Sequence, residues 1–281
     1  MVRVGELVLR PGRDGVVLVP DPARPRAFTL RVGGTDQSYV DLDDPRRLEF
    51  DYVQRIVDVV EAAFAGGERL RTVHVGGAGM TLPRYLAATR PQSAQVVLEP
   101  DAELTAFVRE QLPLPRTSGI KVRATDGRSG VAALRDGFAE LLVVDAFVGA
   151  RVPAELGTVE FLTDAHRVLD PSGVLALNLT DKGPFGYARR VLAGLRRTFA
   201  HTVLCAEPST IKGRRFGNVV LVGADRPLPV ADLAARTGRA PFPYRVLHGD
   251  RLVQLVGGAT PWTDADASPS PEPPADLLRL G

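Results

Sequence analysis

The run Val73-His74-Val75-Gly76-Gly77-Ala78-Gly79-Met80-Thr81-Leu82 reads as a buried strand, a glycine-rich turn and the start of a helix. Glycines let a backbone approach a ligand closely, and a helix start offers unbonded N–H groups. Many nucleotide-binding folds use such a turn, so its meaning depends on what stands beside it. Here three acids end later strands: Glu99, Asp126 and Asp145. Glu99 follows the turn by about 20 residues, the spacing at which a carboxylate accepts from both hydroxyls of a ribose. Asp126, in Ala124-Thr125-Asp126-Gly127-Arg128, suits the exocyclic amine of an adenine, with the cap of the helix after it as the alternative role. Asp145 closes the apolar run Leu141 to Val144, where a carboxylate facing the cleft is a candidate base or cation partner, or a turn initiator. These strand ends together predict a nucleoside pocket along one edge of a parallel sheet.

The elements that must hold those ends are legible from periodicity. Short alternating runs at Glu6 to Leu9, Gly15 to Val19 and Ala27 to Val32 are separated by PGRDG, PDPARPR and GGTD, the pattern of a β-meander. Asp44-Pro45 opens a helix in which Leu48, Tyr52, Ile56, Val59, Val60 and Phe64 share a face, and Gly66-Gly67 end it. From there strands alternate with helices. Strands are expected near 72–76, 94–99, 120–124, 140–145, 173–179, 202–206 and 217–223, with helices near 80–89, 101–111, 128–136, 158–168 and 184–198. Strands such as VVLE and LLVVD are apolar on both faces, as covered parallel strands are. The expected architecture is α/β: a doubly wound, seven-stranded, mostly parallel sheet with a small N-terminal β element. The last two strands form an antiparallel pair. Residues 230–236 predict a short helix and Tyr244 to Val256 a strand or two. The expected divisions are 1–43 for the β element, 44–256 for the main domain and 257–281 for a flexible tail rich in Pro, Ser, Ala and Asp.

Composition excludes several classes. A formal charge of +2 over 281 residues implies neither a nucleic-acid nor a membrane-surface partner. The start of the chain lacks an apolar signal core, and no run approaches the roughly 20 apolar residues of a membrane helix, so a cytoplasmic protein is expected. The single cysteine, Cys205, in the strand-like HTVLCAEP, reads as a buried thiol. His74 reads as a core histidine, and His166, His201 and His248 lack metal-ligand spacing, so no metal is expected. Arg189, Arg190, Arg196 and Arg197 read as a solvated helix face, as do Lys212, Arg214 and Arg215 at a hairpin tip; Asn178 and Asp181 read equally as cleft or loop residues. Trp262 reads as an anchor of the tail or a dimer contact.

A family resemblance is carried by further motifs. Asp145 to Phe161, DAFVGARVPAELGTVEF, is similar without gaps to the spermidine synthase (polyamine aminopropyltransferase) pattern that begins D-S-x-D-P and continues G-P-A-x-x-L-x-S-x-x-F. The matches are Asp145, Ala154, Leu156 and Phe161, with Thr158 for the serine. Gly76-Gly77 with Thr81-Leu82 resembles the family's G-G-G-D-G-G-T-L, and Thr125 to Arg128 its G-D-G-R. Glu49-Phe50-Asp51-Tyr52 resembles its E-F-x-Y, with Gln37 standing like the family's upstream glutamine. The resemblance covers 37–223 and implies a Rossmann-like, class I methyltransferase-like fold. It implies that Gly76, Gly77 and Gly79 line the adenosyl–sulfonium site, that Glu99 holds the ribose, and that Asp126 with Gly127 meets the adenine. Gln37 would contact the nucleoside, Tyr52 would line the acceptor pocket and Asp145 would be the catalytic aspartate. The implied donor is decarboxylated S-adenosylmethionine or S-adenosylmethionine, with no metal. An acceptor amine attacks the aminopropyl carbon beside sulfur and methylthioadenosine leaves. The family's habit implies a homodimer acting on a small molecule.

The departures from the pattern are specific. The family's second aspartate is Val148, its proline Gly149, its glycine-loop aspartate Ala78, and its glutamine after E-F-x-Y is Val53, with Gln54 one place on. Buried ammonium groups need carboxylate partners, and Asp181, Glu155 and Glu160 are the acids that would compensate. Ala78 also repels the carboxylate of intact S-adenosylmethionine less than an aspartate would. Methyl transfer to a non-polyamine acceptor is therefore one alternative, and a non-catalytic nucleoside-binding protein another.

Overall fold

A computed structural model describes residues 7–10 and 15–274 of the chain. The N-terminal meander is a four-stranded antiparallel sheet in the order β1 (Leu7–Arg10), β2 (Val16–Asp21), β3 (Arg24–Val32) and β4 (Thr35–Asp41). Its alternation places Val16, Leu18, Leu30 and Val40 inward, where they pack with Met80, Val97, Leu104 and Phe107 of the main domain. The sheet is thereby seated over the glycine turn.

Helix α1 covers Asp51–Ala63, starting later than the sequence pattern suggests. Asp44-Pro45 opens only a single turn, with Arg47 N–H on Asp44 O and Arg46 N–H on the Asp44 carboxylate, while Asp41 accepts from the N–H groups of Asp43 and Asp44. The segment up to Phe50 is thus left irregular and close to the cleft.

The main domain then alternates through β5 (Arg71–Val75), α2 (Thr81–Thr89), β6 (Ala94–Leu98), α3 (Ala102–Gln111), β7 (Ile120–Arg123), α4 (Gly127–Ala132) and β8 (Ala139–Val144). It continues through α5 (Val159–Val168), β9 (Leu169–Asp181), α6 (Ala188–Thr198), β10 (His201–Ala206), the short α7 (Pro208–Ile211) and β11 (Gly217–Ala224), and ends with α8 (Val230–Gly238), β12 (Arg245–Leu247) and α9 (Gly249–Val256). The sheet order is β12-β10-β11-β9-β8-β5-β6-β7. The pairs from β9 across to β7 are parallel, while β9–β11, β10–β11 and β10–β12 are antiparallel. Eight strands replace the expected seven, because residues 245–247 pair with β10 and the rest of that segment is helix α9. Strand side chains divide cleanly: Leu142 and Val144 face one core, Leu141 and Val143 the other. β6 and β7 lie on one side of β5, β8 and β9 on the other. The switch in winding therefore falls between β5 and β8, where an open α/β sheet has its ligand crevice.

Two expectations are corrected by packing. Residues 257–274 are a strap laid over the domain, in place of a flexible tail; residues 275–281 lie outside the described chain. Trp262 packs against Tyr187, its carbonyl accepts from Val159 N–H, and Arg190 stacks on its ring at 3.5 Å. Ser270 is fully buried and exchanges hydrogen bonds with Val152. This strap also corrects the reading of the basic face of α6: Arg189 donates to Val256 O, and Arg190 to Thr260 O and Pro261 O, while Arg196 and Arg197 remain exposed. Among the described residues no helix is long and apolar enough to cross a membrane.

Candidate functional site

Strand β5 is followed by Gly76, whose backbone conformation excludes other residues. Gly76 has φ +94°, and a Cβ there would lie 2.2 Å from the carbonyl oxygen of Asp145. That contact seats the start of the glycine turn directly on the end of β8, continuing the ladder through Asp145 N–H to Val75 O (2.9 Å). The turn itself is closed on its own partners. Gly76 N–H bonds Leu98 O, Gly77 and Ala78 N–H bond the Glu99 carboxylate at 2.9 and 3.3 Å, Gly79 N–H bonds Ser38 Oγ, and Met80 N–H bonds Gly77 O. The expected row of free N–H groups is therefore absent from Gly76 to Met80, because a neighbouring strand, an acid and the N-terminal sheet already occupy it.

Asp145 stands where β8 ends, part-buried and open to a small cavity of about 50 Å³. One carboxylate oxygen accepts from Asn178 Nδ2 at 2.9 Å, and Tyr52 also hydrogen-bonds the carboxyl group. Burial pushes the Asp145 carboxyl up from 3.8 to about 6, against the opposing effect of these two donors. The Tyr52 hydroxyl is pushed well above its ordinary range by its own burial and by the Asp145 charge, so it remains a donor. Asn178 is itself buried, and its Oδ1 has no partner among the described residues. The sequence placed Asn178 between cleft and loop; in the structure it is the fixed support of Asp145.

The same cavity brings together Gln37, Tyr52, Gly76, Gly77 and Asp145, with Ser38, Phe50, His74, Ala78 and Phe147 around them. His74, buried and bonded to Gln95 and Thr72, is held neutral, burial taking it down to about 4. Asp145 is accordingly the sole charged group on this cavity wall. Glu99, Asp126, Gly79 and Gly127 stand outside the wall. Glu99 is one layer back, with Oε2 on the glycine turn and Oε1 on Asp101 N–H. Asp126 is exposed and caps α4 through Ser129 N–H at 2.8 Å. Gly79 leaves room for Ser38, and Gly127 for Val75, whose Cγ1 a Cβ would approach to 2.2 Å.

A second cavity, of about 220 Å³, adjoins the first across Gln37, Phe50, Tyr52 and Phe147. Asn178 lines it, together with Asp36, Asp51, Glu207, Arg215 and Phe216. Here the acids named from the sequence as substitutes are corrected. Asp181 is consumed by the N–H groups of Lys182, Tyr187 and Ala188, which also delays the start of α6, and Glu160 accepts from Asp264 N–H. Neither these two nor Glu155 lines either cavity. Arg215 is solvated, as expected, with its side chain half exposed, and it lies 3.5 Å from the Glu207 carboxylate. Sequence reasoning missed Asp36, Phe147, Glu207 and Phe216 because no local pattern links them; only the proximity of Glu207 to a strand end resembled the signal used for Glu99. Among the described residues no group of three or more His, Cys, Asp or Glu side chains has the arrangement of a metal site.

Known proteins sharpen this picture. No family model matches the chain. A polyamine aminopropyltransferase of Chromobacterium violaceum is 26% identical over 152 residues, which are 53% of this chain and 57% of that protein. The chain thus spans little more than half the length of that relative. A probable spermidine synthase of Corynebacterium glutamicum superposes with a TM-score of 0.85 at 28% identity, covering 92% of this chain and 95% of the other. Human methyltransferase-like protein 13, in complex with SAH, shares the fold with a TM-score of 0.55 at 19% identity, over 76% of this chain and 96% of the other. The chain is spermidine synthase-like in sequence and structure, on an α/β fold shared with class I methyltransferases and carrying an added N-terminal antiparallel sheet.

Proposed function

We propose that this chain is a transferase that moves an aminopropyl group from decarboxylated S-adenosylmethionine to an amine acceptor. The observation that carries this reading is the charge of the first cavity: its wall holds one ionisable carboxylate, Asp145, and no cation, and the N–H groups from Gly76 to Met80 are already bonded. Such a wall suits a cationic donor and offers no counter-group to a donor carboxylate. Within this reading Gln37, Gly76 and Gly77 contact the donor, Gly79 and Gly127 shape the turn and helix start behind it, and Glu99 and Asp126, at the ends of β6 and β7, take the ribose and adenine. Tyr52 separates donor from acceptor.

The chemistry asks little of the protein beyond placement. The acceptor nitrogen forms a bond to the carbon next to sulfur, the carbon–sulfur bond breaks, and its electron pair returns to sulfur, leaving neutral methylthioadenosine. Asp145 accepts a proton from the acceptor nitrogen and stabilises the positive charge growing there. Asn178 and Tyr52 hold that carboxylate in one orientation, so that the amine meets the donor in line.

Methyl transfer from intact S-adenosylmethionine is the second reading, carried by Ala78, whose methyl lines the cavity where the family's loop aspartate would stand. Calorimetric titration with methylthioadenosine and, separately, S-adenosylhomocysteine separates the two. Tighter methylthioadenosine, with turnover of the decarboxylated donor, is expected. Tighter S-adenosylhomocysteine would transfer the conclusion to methyl transfer, and binding of neither would leave a family member without a donor site.

A further inference from the structure

The strap over residues 257–274 is held by two anchors of different kinds. The first is largely apolar: Trp262 packs on Tyr187, ring centroids 6.0 Å apart, and its carbonyl accepts from Val159 N–H. The second is polar. Ser270 donates its N–H to Val152 O at 3.1 Å and accepts Val152 N–H on Oγ at 2.9 Å. Its carbonyl accepts from Arg151 Nε at 2.6 Å, and its Oγ lies 3.4 Å from Thr180 Oγ1 on β9. Between the anchors, Arg128 pairs with Asp264 at 2.9 Å and Arg190 with Asp266, both aspartates being about half exposed. Exposed pairs of this kind add little and are screened by salt. From Thr263 to Pro274 the chain carries only Thr, Asp, Ala, Ser, Pro and Glu, so no large apolar side chain commits this half of the strap to the core. Its bonds are ones that water replaces, and such a segment releases at lower cost than the strands beneath it.

The polar anchor grips the loop that follows Asp145. That loop carries Phe147, which lines both cavities, and Ala150, which lines the second together with Pro273 of the strap. The loop turns on the mutual bonds of Val148 and Arg151, at 2.8 and 3.1 Å, with Gly149 and Ala150 at φ +56° and +61°. A left-handed alanine is an unfavourable conformation that its surroundings must hold in place. Val148, at the tip of the turn, is 74% exposed, so the turn is fixed from its ends. At one end Asp145 N–H bonds Val75 O; at the other Ser270 bonds Arg151 and Val152.

We propose that residues 263–274 are a detachable clasp on the loop after Asp145, with Ser270 as its catch and Trp262 as the fixed end. With Ser270 docked, Phe147 and Pro273 stand in the cavity walls and the site is closed. When Ser270 undocks, the clasp and residues 147–151 move off as one unit, and the site exchanges its contents with solvent. Ser270 is a positioning residue: it acts through Val152 and lines neither cavity. The proposal goes beyond the transfer reading and is independent of which group is transferred.

The test is amide hydrogen exchange of the full chain, read by mass spectrometry at rising urea. Amides of 147–152 and 263–274 are expected to exchange through one shared opening, at lower urea and with a weaker urea dependence than β5 and β8. Ser270→Ala is expected to speed both segments about fivefold, the size of one lost hydrogen bond. Ser268→Ala, whose hydroxyl reaches only Pro269 O at 3.4 Å, is expected to change neither. Stopped-flow binding of methylthioadenosine separates a gate from simple damage. A looser gate speeds association and dissociation alike and leaves Kd unchanged, whereas a damaged site loses affinity through dissociation alone. Segments that exchange independently in the wild type, or only together with the core strands, overturn the proposal. So does a Ser270→Ala effect confined to 263–274, or a weakened Kd with association unchanged. If Ser270→Ala does not fold, the wild-type exchange pattern decides. If methylthioadenosine does not bind, the transfer reading fails while exchange still decides the clasp.

Discussion

Replacing Asp145 by asparagine should stop turnover and, at the same time, stabilise the protein above neutral pH. The carboxyl sits at about 6 in the fold, against an ordinary value of 3.8, with burial as the cause. That difference corresponds to about 3 kcal/mol held against the ionised form in the folded state. The sign follows from proton binding. Between about pH 4 and 6 the folded protein binds this proton more than the unfolded chain does, so stability falls as pH rises through that window and the full cost is present above it. Asp145→Asn removes an ionisable group of nearly the same shape, so the cost disappears. The amide keeps one acceptor for Asn178 or Tyr52 but loses the charge assistance of both hydrogen bonds, which returns part of the gain. A net stabilisation of about 1–3 kcal/mol is therefore expected at pH 8, shrinking towards zero at pH 4. Urea denaturation of wild type and variant across pH 4–8 measures it directly, since contributions from all other titrating groups cancel in the difference. A variant that is equally or less stable at pH 8, or a difference that does not change with pH, would refute the assignment of Asp145 as a carboxylate stressed by burial.

Three further expectations follow from the same geometry. With a proven substrate, kcat/KM should fall on the acid side of about pH 6 as Asp145 protonates; Tyr52→Phe removes one donor to the carboxylate and should move that limb to higher pH by about one unit, whereas an unmoved limb would separate Tyr52 from Asp145. Gly76→Ala places a methyl 2.2 Å from Asp145 O at a φ of +94°, and should cost about 2 kcal/mol or more in chemical denaturation, together with loss of methylthioadenosine binding. Ser270→Ala breaks the bond from Val152 N–H to Ser270 Oγ (2.9 Å) that ties the strap to the loop after Asp145; about 1 kcal/mol of stability and faster proteolysis within 257–274 are the readouts, and unchanged proteolysis would mean the strap is held elsewhere.

The division between what was readable in the chain and what was not has a physical basis. Periodicity and turn chemistry are local properties. They gave the β-meander, the alternating strands and helices of the main domain and the acids that end β6 and β8, because apolar side chains on both faces of a strand and a glycine followed by a helix leave marks within ten residues. The proximity of Gly76 to Asp145 was implied by the resemblance, yet its cause, a backbone approach that no Cβ tolerates, exists only between two strands. One boundary moved where a side chain captured backbone N–H groups: Asp181 delayed α6 and was thereby removed from the candidate acids. Composition made 257–274 look disordered, since Pro-rich polar sequence lacks a core of its own, but Trp262 and Ser270 find theirs on Tyr187 and Val152. The N–H groups of the glycine turn, counted as free from sequence, are spent on Leu98, Glu99 and Ser38. The sequence alone determined the layers and the catalytic carboxylate candidate; the tertiary structure decided that Asn178 supports it and that Asp51 and Glu207 share its neighbouring cavity. Those residues lie on different elements, and only the winding of the sheet brings their ends to one edge.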